Sequence, residues 1–451
     1  MLAKLGPLLS KNIVRVFIGS GASSGVKIIT SIILSKVIAE KLGPQGLGLI
    51  GQLSSFVSIM LLFATGGYQN GIITFTAINH ARGDVASFIR PALKLTLIIS
   101  AVCGILLFIF ANAFSQLVFK SGDYTYPFYC LGFTIILYSL NTFFNGFLNG
   151  ISDFRTFNLL NITNSLFSLL VTVVMVYWLG IKGALLAVVL SQTLTSLATF
   201  RFMLKFWDVF GGFYKTIITR TLVKQLQPYL KMTIFSLVLL PVSQILIRNI
   251  LLHYEGSFQM GIWEALNRIS GMYLMVVFNI MLVYYLPKLS VMDKKEEILN
   301  EFKKGILFFG SVIIGIGLSV FFLRYIVIRL FLSASFEPVA HLLLPQLAGD
   351  FFRVLYYLFA YFAISKSLTS YYIVTEIFLF SLYIVLAFLA VPVFGINGAV
   401  YAYGIMNFVA FMIHALFIGK MYFGNANAFT KFFFKNNGTT KSIIKADSNF
   451  K

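Results

Sequence analysis

Residues 260–290 read MGIWEALNRISGMYLMVVFNIMLVYYLPKLS. The stretch exceeds the ~20 mostly apolar residues that a membrane span needs, yet Glu264 and Arg268 stand one helical turn apart inside it. An ionised side chain at bilayer depth costs at least ~2.5 kcal/mol on insertion scales, so such groups face a partner or a watery cavity. Helical spacing puts Glu264, Asn267, Arg268 and Gly271 on one face, with Ile262, Leu266, Ile269 and Tyr273 elsewhere. Two readings follow, a buried ion pair that locks helices together or the lining of a substrate path.

The rest of the chain fits a multi-pass membrane protein. Of its 451 residues, 59% are hydrophobic and 11% charged, and the apolar runs recur along nearly the whole length. A net charge of +20 would suit nucleic acid, but the Lys and Arg lie between apolar spans, where they set topology, so no nucleic-acid partner is expected. Cys103 and Cys130 sit in apolar runs and read as small buried side chains, with no disulfide or metal-ligand spacing. His80, His253, His341 and His414 are scattered and read as interfacial or packing residues.

The first apolar run is broken by Arg15 and continues past Lys27 to Val37, too long and too polar for a cleaved signal. Ser20, Ser23, Ser24, Thr30 and Ser31 cluster around Lys27 on the helical wheel, which points Lys27 at a central cavity rather than at the membrane surface. Further spans read at 47–68, 88–111, 127–148, 157–179 and 184–206, then at 228–252, 260–287, 303–325, 341–364, 370–391 and 397–422. Polar stripes Asn141/Asn145/Asn149 and Asn158/Asn161/Asn164 with Ser165 and Ser168 are expected chiefly to bond across helices. The domain reading is an N-terminal six-helix lobe (1–206), a basic cytoplasmic hinge (207–227), a C-terminal six-helix lobe (228–422) and a cytoplasmic tail (423–451).

Alternate loops carry 22 Lys and Arg on the side of both termini and five on the other, which places both termini in the cytoplasm and requires an even number of spans. The halves also repeat. Leu179-Gly180-Ile181-Lys182-Gly183-Ala184 returns 215 positions on as Phe394-Gly395-Ile396-Asn397-Gly398-Ala399, and Gly48-Leu49-Ile50 returns 213 positions on as Gly261-Ile262-Trp263. The expected fold is an all-α membrane protein of twelve transmembrane helices in two pseudo-symmetric lobes around a central cationic cavity.

Cations within or at the edges of spans are Arg15, Lys27, Lys36, Lys94, Arg201, Arg248, Arg268 and Arg353, against the embedded acids Glu264, Asp350 and Glu376. Arg248 is placed to pair with Glu264 and leave Arg268 free, and Asp350 to pair with Arg353 three residues on. A net-positive interior suits an anionic amphiphile such as a diphosphate-linked lipid, with Arg gripping phosphate through its fork and Lys acting as a point charge.

GIWEALNRIS…YL…YYLPKLS, AGDFFRVLYYLFAYFAISKSLTSYYIVTEI and LGPQGLGL together make the chain resemble the Wzx-type flippases, O-antigen translocases and lipid III flippases of the multidrug/oligosaccharidyl-lipid/polysaccharide exporter superfamily. The resemblance runs from about residue 14 to 417. It implies alternating access that carries an undecaprenyl-diphosphate-linked oligosaccharide from the cytoplasmic to the periplasmic leaflet of the bacterial inner membrane. Asp350, Glu376 and a cation at Arg353 look shared with these relatives, whereas the resemblance carries no role over to Glu264 and Arg268, which leaves theirs open. Membrane lipids, a polysaccharide polymerase and a chain-length regulator are the partners this implies.

Lys27, Arg248, Arg268 and Arg353 are therefore the candidate diphosphate-binding residues, and Glu376, Asp350 and Glu264 the candidate coupling or structural acids. No cofactor is expected beyond a proton or other coupling ion. A cation-coupled multidrug exporter is the rival, disfavoured because cationic drugs call for an acidic interior. A glycosyltransferase or polymerase would need a large outer loop, and no outer loop in this reading reaches 20 residues.

Overall fold

In hydrocarbon every backbone N–H and C=O must find its partner within the chain, so a long apolar sequence is driven into helix. The computed structural model describes residues 11–423 apart from 293 and 367, all helix and connecting turn with no strand among them. The expected tail after Phe423, Lys4, and the side chains of Lys11, Arg15 and Ser20 lie outside the described residues.

In chain order come α1 (Lys11–Ala64), α2 (Gln69–Ala81), α3 (Val85–Ile109), α4 (Ala111–Phe119), α5 (Tyr126–Gly150) and α6 (Phe154–Met203). The expected hinge holds a single turn, α7 (Trp207–Phe210), and the start of α8 (Arg220–Leu237). It is tied down: Arg90 of α3 donates to the carbonyls of Asp208 and Val209, and Lys94 to those of Tyr214 and Thr216. Beyond it lie α9 (Leu239–Tyr254), α10 (Gly256–Ile280), α11 (Leu286–Ser290), α12 (Lys295–Phe322), α13 (Arg324–Phe331), α14 (Val339–Ser365), α15 (Thr369–Phe394) and α16 (Ile396–Phe423).

Eight described helices are long and apolar enough to cross a membrane. Two of these stretches, Ser23–Ala64 and Phe154–Ser191, are 42 and 38 residues long, about twice a single span. Each contains a glycine in the left-handed region, Gly43 (φ 63°) and Gly180 (φ 56°), where the chain turns between two legs. The same turns recur in the second half at Gly256 (φ 83°) and Gly395 (φ 59°). Gly43 to Gly256 is 213 positions and Gly180 to Gly395 is 215, the offsets of the sequence repeat.

The packing divides the described chain into two compact units. One comprises the residues up to Arg268 with 323–341 and 391–396; the other comprises 269–322, 342–390 and the residues from 397. The first is built on an aromatic core including Phe88, Phe143, Phe144, Phe147 and Phe210. The second packs Tyr285, Phe302, Phe309, Phe362, Tyr371 and Phe417 together. Large apolar side chains such as Phe133, Trp178, Leu307 and Phe322 stand more than 70% exposed, a surface that only lipid makes favourable.

Within the first unit the repeat residues Gly48 and Gly261 touch. A Cβ on Gly48 would lie 3.2 Å from the Gly261 nitrogen, and a Cβ on Gly261 would fall 1.7 Å from the Pro44 carbonyl oxygen. Gly261→Ala is therefore expected to destabilise the protein by ~1–3 kcal/mol through overpacking. Gly315→Ala, where nothing lies within 4 Å, serves as the control. Thermal unfolding of the detergent-solubilised variants compares the two, and an unchanged Tm for Gly261→Ala would contradict the backbone contact.

Candidate functional site

The polar face of α10 closes on a charge cluster in the first unit. Glu264 is buried, and its Oε2 accepts from Arg248 Nη2 at 2.7 Å and Nε at 3.0 Å. Its Oε1 accepts from Arg268 Nε at 2.9 Å. The pairing of Arg248 with Glu264 is as the sequence suggests, but Arg268 is not left free, because one carboxylate has two oxygens and each holds a guanidinium. Arg248, only 3% exposed, also donates from Nη1 to Ser55 Oγ at 2.9 Å and stacks over the Trp263 ring at 5.6 Å. Gly51 makes the room, since a Cβ there would meet the Glu264 carboxyl carbon at 2.4 Å.

This triad borders a cavity of about 230 Å³ whose other lining residues include Ser54, Ser58, Gln244 and Asn267. The two cations against one anion leave a net charge of +1 on its wall. Arg268 is the most open of the three, with its side chain 23% exposed. Nε is its contact to Glu264, so the outer end of its fork is the part offered to a ligand.

Lys27 lines a second, larger cavity of the first unit, about 580 Å³, together with Ser23, Ser24, Thr30 and Ser31 from its own helix. The wheel reading of α1 is thus correct for these described hydroxyls. No acid pairs with Lys27 among the described residues. The opposite wall is made by the Asn stripes of α5 and α6. Only part of these stripes bonds across helices as expected: Asn141 to Thr195 and Thr199, and Asn158 to Ser23. Asn145, Asn161 and Ser165 bond within their own helices and face the cavity.

Lys36, counted among the interior cations, pairs instead with Glu40 at 3.0 Å and caps the carbonyls of Arg329 and Leu332 at 2.6 Å each.

The second unit holds the remaining candidates. Asp350 is fully buried, accepting from Ser270 Oγ at 2.8 Å, Tyr403 OH at 2.7 Å and the Tyr273 hydroxyl. The expected direct pair with Arg353 does not form. Arg353 Nη1 donates to Tyr403 OH at 3.2 Å, so the tyrosine stands between the charges, and the guanidinium lies 5.7–6.0 Å from the rings of Phe278, Tyr357 and Tyr403. Glu376 is buried with Oε1 lacking a hydrogen bond. Tyr273, Tyr403, Ser270 and Ser55 escape sequence reasoning, because hydroxyls that satisfy a buried charge look like any other polar residue in a span.

Residues 9–292 match the family described as polysaccharide biosynthesis protein, a stretch that contains Lys27 and the whole Arg248/Glu264/Arg268 cluster. The chain belongs to the polysaccharide biosynthesis protein family. Over 385 residues this family member is 27% identical to the lipid III flippase of Escherichia coli (strain K12), spanning 85% of the chain and 92% of the relative, and equally to that of Shigella flexneri. Its fold is similar to an inward-facing multidrug resistance MATE family transporter of the MOP superfamily (TM-score 0.68, 17% identity, 87% of this chain and 94% of that one). It is likewise similar to the lipid II flippase MurJ in an inward closed conformation (TM-score 0.67, 13% identity, 90% and 87%).

Removing Glu264 strands two guanidinium groups in a poorly solvated site. Glu264→Gln is expected to cost about 3–5 kcal/mol, whereas the double change Glu264→Leu with Arg248→Met should be markedly less harmful, because it removes both buried charges of the tighter pair. Denaturant or thermal unfolding in detergent measures both. Equal losses would mean that the triad does not hold the helices.

Proposed function

We propose that this protein is a flippase that carries a polyprenyl-diphosphate-linked oligosaccharide across the membrane for surface polysaccharide synthesis. The observation that carries the reading is the charge of its cavities. One is walled by two arginines sharing a single carboxylate, and the other by Lys27 with no acid among its described lining residues. Fold likeness does not separate a drug exporter from a lipid flippase, since the TM-scores to the two neighbours are nearly equal. Charge does, because a cationic drug would meet repulsion where a diphosphate finds donors. The 27% identity to lipid III flippases over most of both chains points the same way.

The reading places the chain in the bacterial inner membrane with both termini cytoplasmic. It takes twelve spans in two six-helix lobes joined by the hinge at 207–227, and alternating access as the cycle. A polymerase and a chain-length regulator would take up the product. The work is transport rather than bond-making chemistry, as it is for the named relatives.

Diphosphate handling is assigned to Lys27, Arg248 and Arg268 of the first unit and, taken by itself, to Arg353 of the second. Each change to Ala is expected to lower flipping of a fluorescent polyprenyl-diphosphate sugar in proteoliposomes by roughly ten- to a hundredfold, the equivalent of one charge-assisted hydrogen bond of ~1.5–3 kcal/mol. Lys27→Arg should be tolerated as a point charge, and Arg248→Lys should not, because three guanidinium nitrogens are engaged. Wild-type rates in all four Ala variants would remove the assignment.

Glu376 is the proposed proton carrier. Asp350 is held by three hydroxyls, whereas Glu376 keeps an unpartnered buried oxygen. An imposed pH gradient should accelerate flipping by wild type and leave Glu376→Gln at its gradient-free rate. Either a wild type indifferent to the gradient or a Gln variant that still responds would dismiss this role.

A further inference from the structure

The Lys27 cavity differs in chemistry from the arginine cavity. Its described lining is composed of amides, hydroxyls and a few apolar side chains around a single charged group. A volume of about 580 Å³ is in the range of small-ligand sites. We infer that this cavity is the subsite for the sugar rings of the substrate, selecting uncharged, hydroxyl-rich rings through the amides of α5 and α6, with Lys27 beside them for the adjoining phosphate. This rests on the flippase reading and assigns the part of the substrate that the cations cannot hold.

Two buried amide oxygens carry the inference. Oδ1 of Asn145 and Oδ1 of Asn164 accept no hydrogen bond, and both residues line the cavity. A buried acceptor left unpaired costs ~1–3 kcal/mol, so two on one wall call for a donor that arrives from outside. The Asn145 amide cannot simply turn over. Its Nδ2 donates to both the carbonyl oxygen and Oδ1 of Asn141, at 3.0 and 2.9 Å, which fixes the amide's orientation and leaves Oδ1 the unpaired end. Asn141 is in turn clamped by Thr195 and Thr199.

A sugar hydroxyl both donates and accepts, and an amide offers the reciprocal pair of groups in one plane. Tyr138 and Phe157 on the same lining supply flat apolar faces for the C–H side of a pyranose ring. A site lined this way gives a drug cation no counter-charge and gives an uncharged lipid tail too many polar groups. Both considerations leave a neutral sugar joined to an anion as the matching ligand.

The test compares two probes on the full-length protein in nanodiscs by calorimetry: a short-chain polyprenyl diphosphate, and the same lipid bearing one N-acetylglucosamine. Wild type should bind the sugar-bearing probe more tightly. Asn164→Leu should erase about 5- to 10-fold of that advantage, the loss of one hydrogen bond, while leaving the sugar-free probe unchanged. Ser168→Ala, a milder change to the same wall, should reduce the advantage two- to threefold (on the order of one weak hydrogen bond) and keeps the test open should Asn164→Leu not fold. Lys27→Ala should weaken both probes alike. If the sugar adds nothing to wild-type affinity, or if Asn164→Leu and Ser168→Ala weaken both probes equally, the subsite is overturned and the cavity holds water only. If wild type binds neither probe, the flippase reading itself fails.

Discussion

Glu264 is the point on which the first unit's chemistry turns. An isolated carboxylate or guanidinium at bilayer depth is strongly unfavourable, and here three charges from two helices are bearable only together. One carboxylate with an arginine on each oxygen leaves an excess of one positive charge, with Arg268 the more open of the two cations. The small residues around it follow from that demand. Gly51 must lack a side chain for the carboxylate to fit, and Ser55 must be a hydroxyl to occupy the last nitrogen of Arg248. A positively charged cavity wall is thus a by-product of building the ion cluster from unequal numbers.

The second unit solves a similar problem with different groups. Asp350 is satisfied by hydroxyls rather than by a cation, and Arg353 rests on aromatic faces with one tyrosine oxygen for company. Hydroxyl donors aimed at a carboxylate favour its ionised form, as an opposed charge does, but they add no charge of their own. The second unit thus holds Asp350 with no direct cation contact, whereas the first holds Glu264 between two guanidinium groups.

Much of this was legible in the sequence, for reasons that differ by residue. The spans are visible because lipid tolerates few polar side chains, so their spacing announces itself. Lys27 and its hydroxyl neighbours were placed on a cavity because they share one helix, and periodicity reports one helix well. Arg268 was expected to be free and is not, and Asp350 was expected to pair with Arg353 and does not. In both cases the deciding partner is fixed by side-chain geometry and by a third residue, Glu264's second oxygen in one and Tyr403 from 53 positions away in the other. The Asn stripes were read as packing residues, since nothing in a stripe tells whether its neighbour is a helix or an empty volume.

The four turn glycines carry a consequence for how the chain enters the membrane. Gly43, Gly180, Gly256 and Gly395 each join two helical legs by a reversal that uses almost no connecting chain. Two legs with so short a connection can enter lipid as one hairpin, whose hydrophobicity is counted over both. The apolar leg after Gly43 then offsets the polar leg bearing Lys27, and the hairpin at Gly256 brings Glu264 of α10 in with its partner Arg248 of α9. Residues that would fail as single spans become permissible, which is how a chain this apolar comes to hold a polar interior during its own biogenesis.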